Sequence, residues 1–338
     1  MNKKHVISLL LFILTFSLFL YYMQPGILQH DVVELAAYAE YVVFDEHDAS
    51  LAWHYTQFDN GAFPWRTGTN YLTTTSFYIF NIFGEESAES AVFITQFLFG
   101  SLAVVFLYLF LYEIYNKHFP AVIGALIFGL STPLFNAVLA KDHGTEFFFA
   151  IFAMYLLIKG IKNNSTIYLT TSSINLGLLL WMREAGLLFP VIYFGFYCIY
   201  ALEKRSLITT KKILAITIPY IIFAVGAFYA YVRLLLNNAV SNLNSDLFVY
   251  TKEILVSLWT WYPILFFALL LTGFYIGIKN KEKNVIFFTA VSILFFILFT
   301  KNATYDIRHL GIYVLFPFSV IIGYALTKLS LSQNLSRQ

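Results

Sequence analysis

Charge is scarce in this chain. Only 12% of its 338 residues are Asp, Glu, Lys or Arg, where a soluble domain carries about 25%. A water-facing globular surface cannot be built from so little, so soluble fold classes and length-based domain counting do not apply. Cysteine is scarcer still: Cys198 is the only one, inside an apolar run. That excludes an intrachain disulfide and a cysteine-based zinc site. A strong charge of either sign is also missing. The net charge of +2 gives no argument for nucleic acid. No internal repeat, linker or low-complexity tract stands out, and the tail after Lys328 is too short for a soluble domain.

What the chain has is apolar length. It is 59% hydrophobic and 20% aromatic, with 37 Phe and 24 Tyr, residues suited to lipid-facing and interfacial positions. A spanning helix needs about 20 apolar residues. The runs predict helices near 6–23, 92–115, 120–139, 145–161, 166–182, 185–202, 213–236, 256–278, 284–300 and 310–327. The expected fold class is therefore an all-α polytopic membrane protein of about 10 transmembrane helices, with a large outer loop after the first helix. Residues 71–84 are apolar but short and read as a re-entrant or interfacial helix. Residues 1–338 read as one integral-membrane domain, 24–91 as its outer loop, and 329–338 as a short cytoplasmic tail. The basic N-terminus precedes an apolar run that is long for a signal peptide and has no small-x-small cleavage site. It reads as a retained signal-anchor helix.

An even number of spans puts both termini on one side. That side holds fourteen of the 21 cations but only three of the 19 acids, Glu113, Glu203 and Glu282. Cation excess marks the cytoplasmic side. The stretch from Gln29 to Asn70 then faces outward. It carries seven carboxylates, three histidines, two tryptophans and one cation, Arg66. So polar a segment cannot lie in hydrocarbon, where each unpaired polar group costs several kcal/mol.

Four charge clusters fall on this outer side. They are the acidic loop, Lys141 to Glu146, Arg183-Glu184, and Lys301 to His309 with Tyr305. Ionisable groups at membrane depth usually face a bundle interior or a water-filled site. Asp31 reads either as a general base that deprotonates an attacking hydroxyl or as a solvated carboxylate just past a helix, and spacing alone favours the second. Glu34 is three residues on and can share a helical face with it. Asp142, His143 and Glu146 could hold a metal with loop carboxylates. Equally, Asp142 and Glu146 are acids that the dipole favours at a helix start, and that reading is the simpler one. Arg183 and Arg308 offer the planar fork of donors that suits a phosphate. They could instead pair with neighbouring acids such as Asp306.

The order of these features resembles the GT-C superfamily of membrane glycosyltransferases, in the group of the protein O-mannosyltransferases and lipid A aminoarabinose transferases. The resemblance rests on several stretches taken together. An acidic pair, Asp31 and Glu34 in HDVVELAAYAEYV, follows the first helix. Phe63-Pro64-Trp65, the short apolar segment and Gly84-Glu85-Glu86-Ser87 come next. A second outer acid stands at a helix start in KDHGTEFFFAIFAMYLL. Late in the chain, Arg308-His309 precedes Leu315-Phe316-Pro317. The family more often has its two acids adjacent and an aromatic residue where His309 stands.

The resemblance implies a sugar donor on a polyprenyl phosphate at the outer leaflet, a lipid, glycan or protein acceptor, and inversion at the anomeric carbon. Asp31 would be the general base with Glu34 beside it. Arg183 and Arg308 would hold the donor phosphate. Lys141, Asp142, His143, Glu146, Arg66, Tyr305 and His309 are the further site candidates. No cofactor is called for, and a divalent metal stays open. Two other classes compete: a polytopic lipid-linked sugar transporter and a polysaccharide polymerase or ligase. The first would be expected to show internal repeats and polar groups near the midplane, the second a large loop late in the chain.

Overall fold

A computed structural model describes residues 2–23, 35, 36, 39, 43, 67–84, 88–139, 143–182, 186, 188–238, 264–302 and 307–335, with side chains except at 67, 132, 136, 228–238, 298–302, 307–312 and 331–335. Among these residues there are twelve α-helices and one 3₁₀ turn, and no strand. The helices are α1 (Lys3–Tyr22), α2 (Thr67–Ile82), α3 (Ala88–Tyr115), α4 (His118–Gly129), α5 (Thr132–Leu139), α6 (His143–Asn163), α7 (Thr166–Met182), α8 (Phe189–Glu203), α9 (Thr210–Asn238), α10 (Ile264–Lys279), α11 (Lys283–Asn302) and α12 (Ile307–Leu335).

Among the described residues, five helices are long and apolar enough to cross a membrane: α1, α3, α6, α9 over Thr210–Ala227, and α12 over Tyr313–Ser330. The pair α4 and α5 would make a sixth, bent by 56° at its break. The apolar run 120–139 reads as one helix from sequence alone, and the structure divides it. Pro133 has no N–H to donate and belongs in a first turn. Ser131 then joins the two pieces. Its hydroxyl donates to the Phe128 carbonyl at 2.8 Å and accepts the Leu134 N–H at 3.2 Å. The short apolar segment expected at 71–84 forms α2, from Thr67 to Ile82. Between α1 and α2, Leu35, Ala36 and Ala39 are helical. Leu35, Ala39 and Val43, spaced by four, are all buried.

The chain divides into two compact units. The first comprises Met1–Thr15, Val104–Asn136 and Val240–Gln338. In it, α12 packs against α4, α10 and α11. Phe110, Phe288 and Phe316 form a mutual ring cluster, with centroids 5.7 to 6.1 Å apart. Gly273 lets α10 close on α12, where a Cβ would stand 2.5 Å from the Ile321 carbonyl oxygen. Such close approach through small residues is how helices associate in lipid. At one end of this unit Lys4 pairs with Glu113 at 3.1 Å. Lys117 reaches the Ser330 hydroxyl at 3.1 Å.

The second unit comprises Phe16–Ala103 and Ala137–Ala239. Here α7 packs between α6 and α9 and also touches α2. The Ser172 hydroxyl donates to the Ala153 carbonyl on α6 at 2.6 Å. Toward α9, Ser173, Gly177 and Trp181 line one face of α7 at intervals of four. Ser173 donates to the Ile216 carbonyl at 2.6 Å and accepts the Tyr220 N–H at 2.9 Å. Trp181 Nε1 donates to the Phe223 carbonyl at 2.6 Å. Between them Gly177 leaves no room for a Cβ, which would meet Phe223 Cβ at 2.6 Å. The opposite surface of α9 exposes Ile218, Ile221, Ile222 and Val225, an apolar face suited to lipid.

Candidate functional site

Within the second unit, four helix ends meet in a buried polar knot. They are the start of α2, the early turns of α3, the start of α6 and the end of α7. The knot begins with α6. A helix start leaves its first N–H groups without intrahelical partners. Here the partner comes from another helix. Gln96 on α3 places its carboxamide oxygen 2.9 Å from the Gly144 nitrogen and 3.4 Å from the Thr145 nitrogen. Both are donors, so the oxygen and not the amide nitrogen must face them. Gly144 permits the approach: a Cβ there would stand 2.5 Å from the Gln96 backbone oxygen.

In the same turn His143 Nδ1 lies 2.8 Å from Glu146 Oε2. The side chains are 1% and 0% exposed. Spacing of three residues puts them on one face, and the bond fixes the imidazole's orientation. Thr145, also buried, lies 3.3 Å from Thr69 on α2, hydroxyl to hydroxyl. Thr69 in turn donates to the Met182 carbonyl at 2.9 Å. Met182 is the last residue of α7, and Arg183 follows it in the chain.

Of the residues singled out by sequence, the structure brings His143 and Glu146 together. Asp31, Glu34, Arg66, Lys141, Asp142, Arg183 and Tyr305 lie outside the described residues. Arg308 and His309 stand in the first turn of α12, with side chains outside the description. Among the described residues no group of three or more His, Cys, Asp or Glu could hold a metal. The pair His143 and Glu146 supplies two candidate ligands, and Asp142 is outside the description.

Sequence reasoning passed over Gln96, Thr69 and Thr145. Gln96 had a signal: it is the one amide in the apolar run AVFITQFLFG, and polar groups at membrane depth are costly. Thr69 and Thr145 had none, since threonine is common near helix ends.

Residues 68–229 match the dolichyl-phosphate-mannose-protein mannosyltransferase family. Over this stretch the chain is GT-C mannosyltransferase-like. It is by class a membrane glycosyltransferase with transmembrane helices. The matched residues run from the start of α2 into α9. They include Gln96, His143, Glu146 and Arg183, and exclude Asp31 and Arg308. Comparison with curated proteins found no match.

Proposed function

We propose that this protein transfers a sugar from a polyprenyl-phosphate donor to a hydroxyl acceptor at the outer face of the membrane, with inversion. The observation that carries this reading is the family match over residues 68–229. The match covers the helix ends that gather around His143 and Glu146. Asp31 takes the proton of the acceptor hydroxyl. The acceptor oxygen attacks the anomeric carbon from the face opposite the phosphate. The bond between that carbon and the phosphate oxygen breaks, and polyprenyl phosphate leaves with the electron pair. A phosphate is already a good leaving group, so cationic stabilisation serves it better than an acid. Arg183 and Arg308 supply that stabilisation. Glu34 orients the acceptor. Lys141, Asp142, His143, Glu146, Arg66, Tyr305 and His309 are the further site candidates in this reading.

Orientation follows from charge. Lys4 pairs with Glu113, and Lys117 reaches the end of α12. In the second unit Lys212 is held by Asn164 and the Ser206 carbonyl. These basic ends are the cytoplasmic side in this reading. The starts of α2 and α6 and the end of α7 are then the outer ends.

Asp31→Asn keeps shape and removes basicity. General-base catalysis contributes about 10²–10⁴-fold, so single-turnover transfer should slow by that factor with donor binding intact. A rate near wild type with a hydroxyl acceptor would remove Asp31 from this role.

A further inference from the structure

We infer that Gln96 is a positioning residue of the transfer site, acting through the start of α6. This rests on the function proposed above. Gln96 is fully buried in an otherwise apolar run of α3. Its oxygen is the acceptor for the first free N–H groups of α6. Its amide nitrogen has no hydrogen-bond partner among the described residues. A residue that served packing alone would be met equally well by methionine, which has similar bulk and no polar atoms to desolvate. The glutamine is therefore placed for its directed bond. That bond sets the angle and height at which α6 begins. The first turn of α6 carries His143, Glu146 and Thr145. Thr145 leads on to Thr69, and Thr69 to the Met182 carbonyl. One acceptor thus ties the His143–Glu146 pair and the end of α7 into one frame. Gln96 itself reaches no reacting atom.

The full-length protein in nanodiscs tests this with three variants and two readouts. Gln96→Met removes the oxygen. Gln96→Glu keeps an oxygen acceptor in either protonation state. Gln96→Asn, one methylene shorter, withdraws the oxygen and replaces the Met variant if that one does not fold. The first readout is hydrogen exchange over residues 143–147. The second is transfer kinetics, with kcat and donor KM measured separately. Gln96→Met should speed exchange and lower kcat by about 10-fold, the effect of a lost directed bond, with donor KM within about twofold. Gln96→Glu should return both readouts toward wild type. Unchanged exchange in the Met variant would overturn the inference. So would faster exchange with a normal kcat, or a Glu variant as impaired as the Met variant. If the wild-type protein transfers no sugar, it is the proposed function that fails. If the wild type is active and the Met variant equals it, Gln96 alone loses its role.

Discussion

Arg183 follows, in the chain, a helix end whose last two residues are tied to their neighbours. The two residues before it are both anchored: Trp181 through its indole N–H to Phe223, and Met182 through its carbonyl to Thr69. Gly68 also sits against them, since a Cβ there would meet Met182 Cε at 2.7 Å. In the function proposed above, Arg183 and Arg308 hold the donor phosphate. Charge-assisted bonds to phosphate are worth about 1.5–3 kcal/mol. Arg183→Ala and Arg308→Ala should therefore each weaken donor use by about 10- to 100-fold, without loss of folded protein. Donor titrations on both variants check this, and normal values in both would place the phosphate elsewhere. At this scale the sequence was partly legible. His143 and Glu146 could be paired from their spacing, because a helix start fixes which residues share a face. Gln96 could not be joined to Gly144, because forty-eight residues of chain separate them and no local pattern encodes that contact.

Among the elements, the seam between α7 and α9 turns on Pro219. Proline removes one N–H from the interior of α9. Beside the break, Ser173 stands in for the ladder: it takes the Tyr220 N–H and gives its own proton to Ile216. Removing that hydroxyl leaves a buried donor and acceptor to find each other across a disturbed turn. Ser173→Ala should cost about 1–3 kcal/mol, seen as a lower Tm in detergent. In a Pro219→Ala background, where the helix can close its own ladder, the same change should cost clearly less. Equal costs in both backgrounds would mean that serine and proline act independently. The helices themselves were legible from apolar run length, and α1, α3, α6, α7 and α9 lie close to where the runs put them. The break between α4 and α5 was not read, although Ser131-Thr132-Pro133 announces a cap and a first turn. Hydropathy sees through such a break because Pro, Ser and Thr barely lower the average of an apolar run.

For the molecule as a whole, sidedness is the property on which the proposed chemistry depends. A cysteine can report it once the exposed Cys198 is changed to serine. Asn60→Cys should then react with an impermeant thiol reagent applied outside intact cells, and Asn280→Cys should not. The reverse pattern would turn the acidic loop inward. The most direct measurement uses sealed membrane vesicles and a radiolabelled, short-chain polyprenyl-phosphate sugar that dissolves in water and does not cross the bilayer. Right-side-out vesicles holding this protein should pass the label to an acceptor and release unlabelled polyprenyl phosphate. Inverted vesicles should do neither. Transfer confined to inverted vesicles, or absent from both with every polyprenyl-phosphate sugar supplied, would contradict an outward-facing transferase.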